Sequence, residues 1–342
     1  MRIFKWGAPT WLPTAPNARQ RPGKAVALLD HEQGFALVAV LLVLGFMGII
    51  GAEFAYSMRL EATAARVYKE NLLAGHLAEA GFEQALREIA ADYWYVTLGD
   101  RKEQEEEPEC PLVFYTRERL ALKRLPHKNV ALGAGEFSYC ITDEQSRLNL
   151  NATTPARFEG LLQALGLEKN ERDVILDSWQ DWRDANEEHR LNGAESEDTY
   201  LKLSVPYRSK NGNLDSVAEL AQIKGVTPKL LEGAEGRPGL LSLVTVRGTG
   251  QINVNTVGRD VVMGLKLSEA EFSVIEQGRR AGPFTASPYA AAGLNGVRSD
   301  IFRIEAQGLI DGQVRARLTA VVQKRSDAGG QNIVILDWSG VR

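Results

Sequence analysis

The sequence predicts an α+β chain in which a long N-terminal helix spans a membrane and strands flank a largely helical middle. Three observations predict it. Phe35 to Ala52 is an 18-residue stretch without a charge, and it runs on without proline into an alanine- and leucine-rich amphipathic stretch. Strand-type runs rich in aromatic and β-branched residues lie at 111–116 and 136–145, and again at 302–325 and 332–338. Between them, residues of about 153–290 follow helical spacing.

Residues 1–33 are basic and helix-averse. Arg2, Lys5, Arg19, Arg21 and Lys24 stand against Asp30 and Glu32, among Pro9, Pro13, Pro16 and Pro22. The apolar run that follows spans about 27 Å at the helical rise, close to the thickness of the bilayer hydrocarbon. It exceeds the apolar core of a cleavable secretory signal, and no small-residue cleavage site follows it. The preceding positive charge keeps the leader in the cytoplasm and sends the remainder across. Leu72, Ala78, Phe82, Ala85, Leu86 and Ile89 recur at three and four, so one helix from about Phe35 to about Ala90 is expected, its second half laying one face on a domain.

Composition bounds the rest. The 342 residues carry 40 basic and 44 acidic side chains, a formal charge of −4, which argues against general nucleic-acid binding. Cys110 and Cys140 form no CxxC pair, so a zinc ribbon or thioredoxin-type site is excluded. A disulfide between them and two free thiols both remain open. Residues 100–109 are a charge run read as a solvated loop. Asp311-Gly312 between alternating runs signals a β-hairpin. No HExxH, GxSxG or Walker motif occurs, and no enzyme is expected.

The middle section contains an echo. Leu148-Asn149-Leu150-Asn151-Ala152-Thr153 resembles Ile252-Asn253-Val254-Asn255-Thr256, and each copy precedes a helical stretch. Asparagine and threonine there are expected to end a strand and cap a helix. Such segments, with Ile223-Lys224-Gly225-Val226, also bring helix-hairpin-helix DNA-binding modules to mind, the alternative reading. The missing second hairpin glycine, the acidic balance and the anchor weigh against it.

From Arg172 to Tyr200 there are nine acids against Arg172, Arg183 and Arg190. Asp173, Asp177, Asp181 and Asp184 share one helix face, ordinarily a solvated one. The oxygen-bearing loop after them, with its Gly193 bend, suits a calcium ion, although it lacks EF-hand spacing.

Taken together these segments resemble a known family. Gly34-Phe35, the apolar run and its amphipathic extension resemble the class III signal of type IV pilins and pseudopilins. That resemblance implies cutting by prepilin peptidase between Gly34 and Phe35, with methylation of the new Phe35 amine. Asp30, His31, Glu32 and Gln33 stand where such leaders usually carry a basic residue. Mature position five, glutamate in most pilins, is Ala39. That carboxylate offsets a neighbouring subunit's amine within lipid, so a subunit with no neighbour above it has no use for one.

Asp181-Trp182-Arg183-Asp184-Ala185-Asn186, Gly193-Ala194-Glu195 and Pro206-Tyr207 are similar to the motif of the minor pseudopilin K family of type II secretion (general secretion pathway protein K). The resemblance covers nearly the whole chain from Gly34 on. It implies a pilin-like fold: the long helix packed on a small antiparallel sheet, with a large helical domain inserted. The expected organisation is a leader at 1–34, the N-terminal helix at 35–90 with its transmembrane part at 35–54, scaffold strands at 91–152, the insert at 153–290 and C-terminal strands at 291–342.

It further implies a single-pass inner-membrane protein with its bulk in the periplasm, at the tip of the pseudopilus. The implied partners are minor pseudopilins I and J, prepilin peptidase, the inner-membrane assembly platform and the lipid bilayer, with no nucleic acid. It implies calcium (Ca2+) held by some of Asp181, Asp184, Asn186, Glu188, Glu195 and Asp198.

Overall fold

The computed structural model describes residues 32–91, 94–97, 110, 112–116, 118–234, 236–327 and 330–341. The leader through residue 31 and the charge run at 100–109 lie outside the described residues. The chain divides into two compact units, residues 1–65 and 66–342.

In the first unit the described chain is wholly helical. It is the first part of α1 (Glu32–Ala90), in which Gly34, Phe35 and Ala39 all lie. None of its most apolar 18-residue window is buried, and Phe35, Leu41, Leu44, Phe46, Ile49 and Ile50 are all exposed. An apolar surface of that extent is stable only against another apolar phase, which a bilayer supplies. The helix is long and apolar enough to be a membrane anchor.

The second unit begins with the remainder of α1. Ala74, Leu77, Ala78, Phe82, Ala85 and Ile89 are buried at helical spacing. They share one core with Phe137, Tyr139 and Ile141, with Phe302, Ile304 and Ala306, and with Leu318, Ala320 and Val322, which lie on three strands of the main sheet. The strands run in chain order: β1 (Trp94–Thr97), β2 (Leu112–Tyr115), β3 (Val130–Leu132), β4 (Gly135–Asp143) and β5 (Leu148–Asn149).

The helices α2 (Pro155–Ala164), α3 (Lys169–Arg183) and α4 (Pro228–Glu232) follow. Then come β6 (Gly233–Ala234), β7 (Arg237–Pro238), α5 (Leu240–Leu243), β8 (Val244–Thr245), α6 (Arg259–Gly264), α7 (Glu269–Ala281), β9 (Ile301–Ile310), β10 (Gln313–Asp327) and β11 (Gly330–Val341).

The main sheet has the order β11-β10-β9-β4-β3 and is antiparallel throughout. The expected hairpin at Asp311-Gly312 joins β9 to β10, with both residues at positive φ. Cys110 and Cys140 are joined as a disulfide with a Cα–Cα distance of 5.5 Å, so the question left open by sequence is answered in favour of the bridge. On the helix side, Arg124 and the Leu125 amide both bond the buried Glu88 carboxylate at 2.9 Å, which ties the segment after β2 to α1.

β4 and β9 are paired neighbours, yet everything from residue 144 to 300 lies between them in the chain. The helical excursion thus begins before residue 153 and ends after 290. It has its own core, built around Phe158, Leu161, Ile175, Trp179, Leu220, Val262, Ile275 and Leu294. The hinge between the two cores is polar and buried. Asp143, at the end of β4, accepts from the Gln145 amide at 2.8 Å, from Asn253 Nδ2 at 3.2 Å, and from the Thr256 and Ser299 hydroxyls. Burial pushes its carboxyl above the usual range, and those hydrogen bonds oppose the rise. Beside it, burial favours neutral Glu144, but Arg147 and Arg303 outweigh burial and hold that carboxyl below the ordinary range.

The echo in sequence is a structural duplication, with one correction. The asparagines cap no helix: Thr154 precedes α2 and Gly258 precedes α6. Each Asn-x-Asn instead clamps distant loops. Asn151 donates to Leu214 O and accepts from the Leu214 amide. Asn255 donates to Phe284 O and accepts from the Phe284 amide. An amide side chain carries both a donor and an acceptor, so it can replace a strand partner, which a cap cannot. The copies then run in parallel: Gly160 matches Gly264, the capping box Glu168–Glu171 matches Ser268–Glu271, and buried Ile175 matches buried Ile275. α2 and α6 cross at the glycines, where a Cβ on Gly160 would lie 2.1 Å from Gly264 O.

Candidate functional site: the acidic loop

α3 ends in Arg183, and the chain then folds back along the helix. Asp173 pairs with Lys169 at 2.6 Å in the helix itself. Asp177 Oδ2 accepts from the Asn192 amide and from Asn192 Nδ2, both at 3.1 Å. Asp181 is fully buried; its Oδ2 accepts from the Ala194 amide at 3.0 Å and the Arg190 amide at 3.1 Å. The acidic face is therefore not the solvated face expected for like charges on a helix. The Asp177 and Asp181 carboxylates are the acceptors on which the returning loop hangs, and the loop's amides keep these charges hydrogen-bonded as it covers them.

Gly193 marks the closest approach. A Cβ there would sit 1.8 Å from Asp181 Oδ2 and 3.1 Å from the Arg190 nitrogen. Gly193→Ala should cost about 1–3 kcal/mol, since neither the buried carboxylate nor the backbone has room to retreat. A denaturant titration checks it, with a lowered midpoint at unchanged slope as the expected result.

The aromatic residues of the motif are the floor of the loop. Trp182 meets Tyr200 edge-on at 5.3 Å, and Tyr200 stacks on Tyr207 at 5.1 Å. Tyr207 donates its hydroxyl to Gln222 O at 2.7 Å. Lys224 donates to Gly193 O at 3.0 Å and so is committed to the loop; the hairpin reading gains no support from it.

The six predicted ligand residues do not converge. Arg190 Nη1 reaches Asp181 Oδ1 at 2.5 Å and Asp184 Oδ2 at 2.6 Å. Burial opposes the charge on Arg190, but the hydrogen bonds it donates to Asp184 and Asp181 outweigh burial and raise its pKa. Asn186 donates to Asp184 Oδ1 at 2.8 Å and accepts from the Glu188 amide. Asp198 pairs with His189 at 3.1 Å. Among the described residues no three of His, Cys, Asp and Glu stand in an arrangement that could hold a metal ion.

Glu195 differs from the rest. It is buried, its Oε2 accepts from Ser209 Oγ at 2.6 Å, and its Oε1 is buried without a hydrogen-bond partner. Burial raises its carboxyl first, Ser209 opposes this, and the charges of Asp181, Glu187 and Asp184 raise it further. Asn211 Oδ1 is likewise buried without a partner. Its amide nitrogen bonds Glu187 Oε1 at 3.0 Å, and Ser196 Oγ lies 2.7 Å from Ser209 Oγ. Carboxylate and amide oxygens are the atom types that a hard cation such as calcium takes, but these two acceptors are not joined by a third carboxylate in a coordinating arrangement. Ser196, Ser209 and Asn211 escaped the sequence reading, and Glu187 was visible there only as one of the acids of the run. Arg190 was visible there as a charge inside the acidic run, but its two partners were not.

Comparison with known proteins agrees with this fold and these motifs. The family described as type II secretion system (T2SS), protein K, matches residues 138–236, which include the whole acidic loop. Type II secretion system protein K of Klebsiella pneumoniae is 27% identical over 267 residues, covering 72% of this chain and 74% of its own length. That of Pseudomonas aeruginosa is 26% identical over 243 residues, 68% of either chain. A chain in the crystal structure of the GspK-GspI-GspJ complex from enterotoxigenic Escherichia coli superposes with a TM-score of 0.51 at 20% identity, over 63% of this chain and 83% of that one. The likeness in fold, the matched family region and the protein K relatives lead to one identification: the chain belongs to the type II secretion system protein K family, the minor pseudopilins that serve protein transport.

Proposed function

We propose that the chain caps the tip of a periplasmic pseudopilus and helps start its assembly, together with minor pseudopilins I and J. One observation carries this reading: the whole excursion from residue 144 to 300 is inserted between two paired strands of the sheet that packs on α1. A filament tiles one lateral contact from subunit to subunit, and a domain of that bulk suits only a terminal position, where no further subunit must fit above it. Ala39 in place of the usual glutamate agrees, because a terminal subunit faces no neighbouring amine. The structurally similar Escherichia coli protein was crystallised with two partners in the GspK-GspI-GspJ complex.

The same reading includes cleavage by prepilin peptidase after Gly34, methylation of Phe35 and delivery through the inner-membrane assembly platform. It makes α1 a single inner-membrane span and puts the second unit in the periplasm, an oxidising compartment that suits the Cys110–Cys140 bridge. It is a structural role rather than a catalytic one. Calcium in the acidic loop belongs to it as well, supported by the unpartnered buried oxygen of Glu195.

Copurification tests the assembly. Tagged full-length protein coexpressed with the two smaller pseudopilins should carry both through affinity and size-exclusion steps in about equal amounts. Elution of the chain by itself under those conditions would refute the proposed tip complex.

A further inference from the structure

We propose that the β1–β2 ribbon is a strut that locks the helical excursion against swinging on the sheet, with Arg279 as the positioning residue that receives it. The need for a strut follows from the two chain crossings. Asp143 pairs with Phe302, so the chain leaves β4 and enters β9 side by side at one end of the sheet. Two adjacent crossings fasten a domain yet form a hinge about the line through them. The bonds of Asp143 to Asn253, Thr256 and Ser299, and of Glu144 to Arg303, act close to that line and so with little leverage.

One side of the ribbon belongs to the sheet. Among the described residues β1 and β2 form a two-stranded sheet of their own. Tyr95, Leu112 and Phe114 are buried in the core beneath α1, and the Tyr95 ring meets Phe302 at 4.8 Å. Cys110, two residues before β2, is bridged to Cys140 of β4.

The other side of the ribbon meets the excursion. The Thr97 amide donates to Asn255 O at 2.9 Å, and Arg279 Nη1 donates to Thr97 O at 3.5 Å. The Arg298 guanidinium lies 4.3 Å from the centre of the Trp94 ring. After β2, Arg119 approaches the end of α7, where a Cβ on Gly282 would lie 3.3 Å from its Nη2. A cavity of about 180 Å³, lined by Thr97, Leu112, Asp143, Arg147, Thr256 and Val261, stands between Thr97 and Asp143. Ribbon and hinge are therefore separate attachments.

Arg279 is buried, and its Nε and Nη2 donate to Val254 O and Val257 O. A guanidinium carries five donors in a planar fork, so one side chain holds the Asn-x-Asn turn while Nη1 points at the ribbon. Burial lowers its pKa to about 10, well above neutral pH, so the charge is kept. The first copy of the duplication differs at this place. Trp179 follows Ile175 by four residues as Arg279 follows Ile275, and the Arg183 guanidinium covers its ring at 4.7 Å. Arg183 also donates to Asn151 O at 2.9 Å, the carbonyl that matches the Asn255 O bonded by Thr97. The first copy closes this face with its own side chains, and the second leaves it to the ribbon.

Hydrogen exchange of the full-length chain in detergent micelles, read by mass spectrometry, tests the lock without any partner. The amides of Gln145, Asp300 and Ile301 are hydrogen-bonded at the two crossings and report on the hinge. Thr97→Pro removes the amide that bonds Asn255 O, at the end of a strand and facing away from β2. Arg279→Met removes the fork. Each should speed exchange over residues 143–147 and 298–301 by about tenfold or more, while α2, α3 and β10 stay within about threefold of the wild type. Unchanged exchange at both crossings in a folded Thr97→Pro would overturn the strut. A uniform rise through α2, α3 and β10 in that variant would overturn it too, because the ribbon would then support stability at large and not the hinge. Thr97→Pro touches no core side chain and decides the matter even where Arg279→Met fails to fold.

Discussion

Asp181→Ala is expected to lower the stability of the second unit by about 3–5 kcal/mol, and its melting temperature by about 5–10 °C. The side chain is fully buried and serves three donors on the returning loop: the Arg190 and Ala194 amides and the Arg190 guanidinium. Removing it leaves two backbone N–H groups without an acceptor, about 1–3 kcal/mol each, beyond the loss of the ion pair. Asp181→Asn, which keeps one acceptor oxygen, should cost less. Asp173→Ala is the control: its partner Lys169 is largely exposed, so its effect should stay within about 1 kcal/mol. Denaturant titration of the three variants checks the order. Equal stability of Asp181→Ala and wild type would mean that the loop is held by something other than this carboxylate.

Removal of the disulfide should have an effect of similar size for a different reason. The Cys110–Cys140 bridge closes a loop with a sequence separation of 30, and in the chain-entropy account such a cross-link is worth about 3.5 kcal/mol. The account acts through the unfolded chain, so the folded contacts of β2 and β4 should survive the change. The double substitution Cys110→Ser, Cys140→Ser should therefore lower the unfolding midpoint while leaving the circular-dichroism spectrum of the folded state unaltered. Reduction of the wild type should reproduce the shift, and the double variant should not respond to reductant. A wild type indifferent to reductant would show that the bridge contributes nothing to stability.

These two effects differ in how far they could be foreseen. The bridge was one of two open readings of a pair of cysteines, and pairing could not be judged without the approach of the loop at 110 to β4. The role of Asp181 was hidden more deeply. Its recurrence with Asp173, Asp177 and Asp184 placed it on one helix face, but helical periodicity carries no information about what lies against that face. The acids pointed toward solvent or metal on chemistry alone; the returning chain turned them into acceptors for its own amides.

What the sequence determined by itself is everything governed by local periodicity and composition. The uncharged run from Phe35 and the absence of proline through Ala91 specify one long helix with an apolar span, because neighbouring residues settle both. The strands before and after the helical middle, and the hairpin at Asp311-Gly312, are legible for the same reason. The duplicated Asn-x-Asn was visible, but its purpose was not: only the fold brings Asn151 to Leu214 and Asn255 to Phe284. Likewise Arg190 was one more charge until tertiary contact set it between Asp181 and Asp184, and Asn211 entered the cluster from a different loop. Burial and the pairing of distant polar groups are decided by packing between segments, and each of these contacts depends on chain positions that no local spacing relates.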